Sequence, residues 1–224
     1  MTGIRLFGVM LLGRTSGGTA PEHPYRRTQA IPVSALRSAD TTTIRYRELG
    51  AIVRPCPFAS VDFTAEELQE YQEVIGTAFH DTSVLPAPFG AVFRSTDLLQ
   101  RWLEMNYIAL AEGMHFVDGR CETRVRAREP QDTVRRGGAA VGGDASPVAS
   151  ECFRLLRKDA VAAVPLRQEE GAPLAMSGAF LIQRTAWDEF AELVSDCGRR
   201  YEQLTFEQTG PWPPYDFVRM DFGA

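Results

Sequence analysis

Apolar and polar positions alternate along the chain with two different periods, and the period indicates the element. Two apolar runs, Ile4–Leu12 and Leu174–Gln183, have the length of buried strands. Thr64, followed three residues later by a glutamate, forms a capping box that predicts the start of a helix. Strict alternation over Cys121–Ala127 predicts a half-buried strand. The chain therefore contains both amphipathic helices and strands.

The remaining predicted elements lie between these. The first is one kinked strand or two short strands over Thr41–Tyr46 and Leu49–Val53, and the helix from Thr64 follows, burying Leu68, Tyr71, Ile75, Ala78 and Phe79. Next come a strand over Val84–Phe93, a helix from Ser95 or Thr96 to Gly113, and a hairpin of Met114–Val117 and Cys121–Ala127 around Asp118-Gly119. The last elements are a helix over Glu151–Val164, a helix over Thr185–Arg199 capped by Thr185, and a strand over Tyr201–Phe206. Helices are too few for a doubly wound parallel sheet. The order predicts an α+β fold, with helices on one face of mostly antiparallel sheets.

One segment has the composition of a linker. Between Pro130 and Pro147 the chain holds two Gly-Gly pairs among small residues. The sequence therefore predicts a domain over 1–129, a Gly-rich linker over 130–150 and a second α+β domain over 151–224.

Composition excludes several classes of protein. The 224 residues are 44% hydrophobic and 24% charged, which is ordinary globular usage, and the net charge of -5 argues against nucleic acid as the main partner. No apolar run approaches the roughly 20 residues of a membrane helix, and Ile4–Leu12 is not followed by a cleavage site for a signal peptide. The four cysteines are scattered without a Cys-x-x-Cys pair. We expect a reduced, cytoplasmic chain without a membrane or nucleic-acid partner.

Catalytic and cofactor motifs are missing from the sequence. His23, His80 and His115 are too far apart for a helical zinc site, and there is no Gly-x-Ser-x-Gly nucleophile elbow. His80-Asp81 could form an acid–base pair, although a histidine in the last turn of a helix also suits the helix dipole. No catalytic, metal-binding or cofactor-binding residue is predicted.

A row of arginines occupies one side of the predicted strand Cys121–Ala127. Glu122, Arg124, Arg126 and Arg128 alternate with the apolar positions. The row could pair with the acidic helix face at Glu66–Glu73 or bind an anionic partner. The simpler interpretation, which we favour, is a solvated edge that discourages aggregation.

A proline-rich segment near the C-terminus is the most unusual feature. It consists of Gly210, Pro211, Trp212, Pro213, Pro214 and Tyr215. Prolines around an indole preset an extended path and hold the aromatic rings in one posture. The segment is either a rigid clasp that packs on the core or a Pro-x-x-Pro ligand for an aromatic groove.

Two segments resemble a known family. Gly210–Tyr215, followed by Phe217-Val218, resembles the C-terminal signature of the gas vesicle GvpF/GvpL family. Upstream, Leu85, Pro86, Phe89 and Gly90 match that family's Leu-Pro-x-Arg-Phe-Gly-Thr-Val segment, with Pro88 in place of the arginine. Three further segments also fit, and they are Phe7-Gly8-Val9, Glu122 and Ala179–Ile182.

The resemblance implies a fold and a role. Members of the family are accessory proteins of gas vesicle formation, not enzymes, and are thought to bind the small apolar shell subunit and assist nucleation or assembly. Other accessory proteins would be further partners, and the place of action would be the cytoplasm and the gas vesicle. The implied fold is an N-terminal ferredoxin-like domain and a smaller, modified ferredoxin-like domain.

The resemblance also leads to a hypothesis about the two segments. Trp212 and Tyr215, with Leu85 and Phe89, either form a surface for the shell subunit or hold that surface in shape. Support is the favoured role for Trp212 and Phe89, because motifs this apolar usually pack inward. The first alternative is a divergent ferredoxin-like interaction module, or a small ferredoxin-like enzyme that uses His80 or Cys121, unrelated to gas vesicles. A further alternative is an adaptor ligand recognised through Pro211–Pro214.

Overall fold

The computed structural model describes residues 2–12, 41–58, 64–128, 147–167 and 174–222. The chain folds into two compact units. The first comprises Met1–Asp118 together with Val218–Ala224, and the second comprises Gly119–Phe217. The predicted mixture of helices and antiparallel sheets is confirmed in both.

An antiparallel sheet forms the centre of the first unit. Its strands are β1 (Thr2–Leu11), β2 (Thr42–Tyr46), β3 (Leu49–Pro57), β4 (Val84–Pro86) and β5 (Val92–Phe93). The order is β2-β3-β1-β4, and β5 also pairs with β1. The predicted single strand over Val84–Phe93 is therefore two short strands with a turn between them. The β1–β2 connection lies outside the described residues, so the ferredoxin-like description of this unit stays a prediction.

Helix α1 (Ala65–Asp81) begins as the sequence predicts. Thr64 is its N-cap, and the Thr64 hydroxyl accepts a hydrogen bond from the Glu67 backbone N–H at 3.2 Å. The buried face contains Tyr71, Val74, Ile75, Ala78 and Phe79. Leu68 was predicted to be buried as well, but it is 43% exposed.

Helices cover both faces of the first sheet, which differs from the prediction of one covered face. A β-bulge at Phe7 interrupts the β1–β3 register. The Phe7 ring stacks on Tyr71 of α1, with ring centroids 6.2 Å apart. Leu6 and Val9 point the other way, into a core that contains the buried residues of helices α2 (Thr96–Met105) and α3 (Tyr107–Val117).

The residues after 217 return to this core. Met220 is buried in it, and Phe222 stacks on Trp102 with ring centroids 4.9 Å apart. The Trp102 indole N–H also donates to the Asp221 carbonyl at 2.9 Å. The first unit is therefore built from two distant parts of the chain.

Two sequence predictions for this region are wrong. The helix expected to run to Gly113 ends at Met105, and a new helix, α3, starts after Asn106. Met114–Val117 was predicted to be the first strand of a hairpin, but it forms the last turn of α3. Asp118-Gly119 does make a turn, with Gly119 at φ +70°, but the turn joins a helix to a strand.

The second unit contains four strands and two helices within the described residues. They are β6 (Arg120–Arg128), α4 (Pro147–Lys158), β7 (Ala162–Pro165), β8 (Leu174–Gln183), α5 (Trp187–Arg200) and β9 (Thr205–Trp212). The sheet order is β7-β8-β6-β9, and every neighbouring pair is antiparallel. This sequence of elements is the β-α-β-β-α-β motif.

Strand β6 accounts for the difference between the predicted and observed units. The sequence assigns it to a first domain ending at residue 129, but β6 pairs with β8 and β9 and supplies the central strand of the second unit. The observed division lies at Asp118/Gly119. Residues 129–146, most of the predicted linker, lie outside the described residues, and α4 begins at Pro147. Strand β6 and helix α4 thus belong to the same unit.

Three boundaries in the second unit also differ from prediction. Helix α4 ends at Lys158, and β7 replaces the last turn that was expected. Thr185 lies in a short 3₁₀ turn, Arg184–Ala186, so α5 starts without a side-chain cap. The last strand is Thr205–Trp212, which places the Gly-Pro-Trp sequence inside the sheet.

Candidate functional site

The Leu-Pro-x-x-Phe-Gly segment is held by β1 and α1 of the first unit. Leu85 and Pro86 are buried in β4, paired with Val9 and Gly8. The Ala87 N–H donates to the Phe7 carbonyl at 2.9 Å, and the Ala87 carbonyl accepts from the Tyr71 hydroxyl at 2.5 Å. Leu85 and Pro86 therefore pack inward.

Phe89 and Gly90 form the turn between β4 and β5. Gly90 has φ +85°, a conformation that favours glycine. The half-buried Phe89 ring contacts Tyr71 edge-to-face, with centroids 5.5 Å apart, and the Arg5 guanidinium carbon lies 4.9 Å from the Phe89 ring centroid. Pro88, which replaces the family's arginine, is exposed at the turn. These contacts give Phe89 a supporting position.

The Gly-Pro-Trp-Pro-Pro-Tyr segment ends β9 in the second unit. Gly210 has φ +128°, and its peptide bond to Pro211 is cis. A Cβ atom at Gly210 would lie 2.9 Å from the Glu122 carbonyl oxygen, so only glycine fits at this position. Trp212 pairs with Glu122 in the sheet register.

The six residues of this segment differ widely in exposure. Trp212 is 45% exposed, and its indole N–H donates to the Thr209 hydroxyl at 3.3 Å. Pro211 is also exposed, whereas Pro213 and Pro214 are buried and Tyr215 is half-buried. Part of the segment packs inward as a clasp, and the indole is presented to solvent. The burial of both later prolines counts against a Pro-x-x-Pro ligand.

A charged cluster of Glu122, Arg124 and Asp216 fixes the end of this segment. The Glu122 carboxylate is fully buried and accepts two hydrogen bonds at 2.8 Å, one from Arg124 Nε and one from the Asp216 backbone N–H. Arg124 also pairs with Asp216, with 3.0 Å between Nη2 and Oδ2. The three side chains join β6 to the residues that follow Tyr215.

Burial governs the titration of Glu122 and of the nearby Tyr215. It raises the pKa of Glu122 to about 7, and the negative charge of Asp216 adds to the rise, although the Asp216 N–H and Arg124 oppose it. Burial and the nearby negative charge of Glu122 together raise the pKa of the Tyr215 hydroxyl to about 12. Sequence analysis placed Glu122 in the arginine row but did not identify its role as an anchor.

Arg124 and Arg128 of the arginine row pair with acidic residues of their own unit. Besides the Arg124 pairs, Arg128 lies 3.7 Å from Glu207 of β9. The acidic face of α1 pairs with a different residue, because Glu70 forms a bidentate salt bridge with Arg54 of β3. The predicted alternation of buried and less buried positions along β6 is confirmed, except that Glu122 is fully buried.

The residues considered for catalysis lie in different units. His80 is exposed in the last turn of α1, and Cys121 is buried in the other unit, where burial raises the pKa of its thiol to about 11. Among the described residues, no group of three His, Cys, Asp or Glu side chains could hold a metal ion. No helix in the described part of the chain is long and apolar enough to span a membrane.

A further surface, which sequence analysis missed, lies on α3 and the end of α2. Three large apolar side chains are exposed here, namely Met105 (78%), Ile108 (71%) and Phe116, and we call them the apolar patch. The opposite side of α3 buries Leu110 and Met114. A signal was present in the sequence, because α3 has apolar residues on both sides, which exceeds what one core face needs.

Comparisons with known proteins show which family the sequence resembles and which solved structures share its fold. A family model described as "Gas vesicle synthesis protein GvpL/GvpF" matches residues 18–140 and 135–219. Gas vesicle protein F1 of Halobacterium salinarum is 26% identical over 190 residues, which cover 81% of this chain and 83% of that protein. Gas vesicle protein F of Haloferax mediterranei is 23% identical over 190 residues, with the same coverage.

Two crystal structures have the same fold. Gas vesicle protein GvpF from Anabaena sp. superposes with a TM-score of 0.77 at 13% identity, covering 100% of this chain and 99% of that one. GvpF from Microcystis aeruginosa gives a TM-score of 0.69 at 13% identity, with 96% and 98% covered. The family match extends over most of the sequence and includes both motifs. This chain therefore belongs to the GvpL/GvpF family of gas vesicle synthesis proteins.

Proposed function

We propose that this chain is a gas vesicle accessory protein that binds the apolar shell subunit and assists nucleation or assembly of the vesicle. The observation that carries the proposal is the apolar patch of Met105, Ile108 and Phe116. A shell protein with a water-repelling face aggregates until it is assembled. A soluble partner that covers this face would keep the subunit competent for assembly in the cytoplasm and at the growing vesicle.

The patch suits this role because of where it lies. Its helix is fixed from the core side by Leu110, Met114 and Val117, so the exposed side chains are presented on a rigid element. Large exposed apolar side chains are candidates for contacts with a protein partner. Other accessory proteins of the vesicle are further partners of the same chemistry.

The two motifs have different parts in this proposal. Leu85 and Phe89 are held by Val9, Tyr71 and Arg5, which favours support over contact. Tyr215 lies beside the buried Glu122 cluster, which also favours support. Trp212 is the exposed aromatic side chain of the second motif and is proposed as an additional contact.

The test is co-expression of the tagged chain with a gas vesicle shell subunit, followed by affinity capture. We expect the wild-type chain to retain the subunit in soluble form and Ile108→Gln to lose most of it. Leu68→Gln is the matched control, since Leu68 is an exposed apolar residue of another helix. Glutamine is a good helix former, so both variants should fold.

Two outcomes would contradict the proposal. If the folded wild-type chain captured no subunit, binding of the shell subunit would be refuted. If Ile108→Gln and Leu68→Gln captured as much subunit as the wild type, the apolar patch would be excluded as the contact, and Trp212→Ala would then test the second motif.

A further inference from the structure

A turn follows β9 and forms hydrogen bonds within itself. Pro213 and Pro214, which come directly after the strand, have no backbone N–H to donate. The Tyr215 N–H donates to the Pro213 carbonyl at 2.7 Å, and the Phe217 N–H donates to the Pro214 carbonyl at 3.3 Å. We call residues 213–217 the Pro-Pro turn. These two hydrogen bonds shape the turn but do not hold it to the sheet.

The Asp216 N–H, in contrast, reaches β6. It donates to Glu122 Oε2 at 2.8 Å, and the Glu122 carboxylate is fully buried. Arg124 Nε bonds the other Glu122 oxygen at 2.8 Å, and Arg124 Nη2 lies 3.0 Å from Asp216 Oδ2. Two carboxylates therefore share the Arg124 guanidinium, and the three side chains carry one more negative than positive charge when all are ionised.

The other neighbours of Glu122 leave this cluster distinct. Arg120 lies two residues before Glu122 on the same face of β6, but the two hydrogen bonds described above come from other residues. Aromatic rings of α4 and α5 contact Phe180 of β8, which pairs with Thr123 and so faces the opposite side of the sheet. Three further neighbours carry no charge at neutral pH, namely Leu181 of β8, Trp212 of β9 and Tyr215 of the turn.

We propose that Glu122 makes the Pro-Pro turn a pH-sensitive latch, which is closed over a protonated carboxyl group and opens more often once that group is charged. A protonated Glu122 still accepts from the Asp216 N–H through its carbonyl oxygen and can donate its own O–H to the Asp216 carboxylate. A charged Glu122 is held out of water beside a second negative charge, and lifting the turn lets water solvate it.

The latch acts on a residue that is presented to solvent. Trp212 directly precedes the turn and pairs with Glu122 in the sheet register. Its indole is 45% exposed. The latch therefore sets the posture in which this indole is presented, whatever partner it meets.

The size of the effect follows from the pKa of Glu122 in the closed and open states. Burial, and after it the charge of Asp216, raise that pKa to about 7 in the closed state, against 4.5 for a glutamate in water. Since the closed state binds the proton more tightly, the equilibrium constant for opening is lowest below pH 4.5 and increases as the pH rises through 7. Between pH 5 and pH 8 we expect it to increase at least about tenfold.

Amide hydrogen exchange followed by NMR measures this opening, because the Asp216 N–H forms the bond that must break. After correction for the intrinsic pH dependence of exchange, the opening constant at Asp216 should increase by the expected factor between pH 5 and pH 8. In Glu122→Gln, whose side chain accepts from the same N–H without a charge, it should stay nearly constant. Glu202→Gln is the matched control, since Glu202 is an exposed carboxylate of the same unit, and it should behave as the wild type.

A second readout separates the latch from unfolding of the whole unit. Val125 lies in β6 between Gly178 of β8 and Gln208 of β9. Low concentrations of urea should increase the opening constant at Val125, because that opening exposes the sheet, and should leave the opening constant at Asp216 unchanged. The latch would be refuted if Asp216 showed the urea dependence of Val125, or if Glu122→Gln kept the wild-type pH dependence. The proposed function would stand in both cases, because capture of the shell subunit tests it separately.

Discussion

The fully buried carboxylate of Glu122 accepts a hydrogen bond from the Asp216 backbone N–H at 2.8 Å. This contact ties the middle strand of the second unit to the residues that follow the Gly-Pro-Trp-Pro-Pro-Tyr segment. Arg124 bonds the other carboxylate oxygen and also pairs with Asp216. Glu122 therefore anchors the segment while the indole of Trp212 remains in solvent.

Glu122 should make stability depend on pH. Its pKa is about 7 in the folded chain against an ordinary value of 4.5, so the folded state holds this proton more tightly. The stability it contributes is complete below pH 4.5 and is lost as pH rises towards and through 7, by up to about 3 kcal/mol. Urea unfolding at several pH values should show this slope in the wild type and lack it in Glu122→Gln. Identical pH profiles for the two proteins would contradict the assignment.

Gly210→Ala should destabilise the chain by about 2 kcal/mol or more, because alanine is strained at φ +128° and its Cβ would crowd the Glu122 carbonyl. Gly76→Ala is the control, since Gly76 lies within α1 and a Cβ there meets no atom within 4 Å. That variant should gain roughly 0.5–1 kcal/mol from helix propensity. The measurement is the unfolding free energy in urea. Equal effects of the two substitutions would show that the backbone at Gly210 is unimportant.

Trp212→Ala should keep a cooperative unfolding transition and lose about 2 kcal/mol or less, since nearly half of the residue is already in solvent. Phe89→Ala should lose more, about 3 kcal/mol, because its ring contacts Tyr71 and Arg5. Thermal melts followed by circular dichroism measure both. A larger loss at Trp212 than at Phe89 would reverse the supporting and exposed roles assigned to them.

Alkylation should distinguish the cysteines. Cys56 is the partly exposed thiol, whereas Cys121, Cys152 and Cys197 are buried. Burial raises the pKa of Cys121 to about 11 and that of Cys152 to about 12, so few thiolates form at pH 8. Mass spectrometry after brief iodoacetamide treatment should find label on Cys56 alone in the native chain and on all four in urea. Rapid labelling of native Cys121 would revive the enzyme hypothesis.

Local signals in the sequence predicted local structure well. The capping box at Thr64 and the apolar run Leu174–Gln183 gave the start of α1 and the bounds of β8, because each depends on neighbouring residues. The hairpin signal at Asp118-Gly119 failed because it, too, depends only on neighbouring residues. A local turn preference does not determine whether a helix or a strand precedes the turn, and the core face of Leu110, Met114 and Val117 made α3 a helix.

The candidate surface was harder to predict. The glycines after Arg128 predicted a linker, but they could not show that β6 pairs with β8 and β9, which come much later in the chain. Helical periodicity alone could not show that Ile108 remains exposed while Leu110 and Met114 of the same helix are buried.

The return of Asp221 and Phe222 to Trp102 has a consequence for biosynthesis. The ribosome emits all of Met1–Asp118 and then the whole second unit before these residues appear. Domains usually fold in the order of their synthesis. Here the first unit to emerge is the last to be completed, and until translation reaches Phe222 the Trp102 indole has neither its stacking ring nor its hydrogen-bond acceptor.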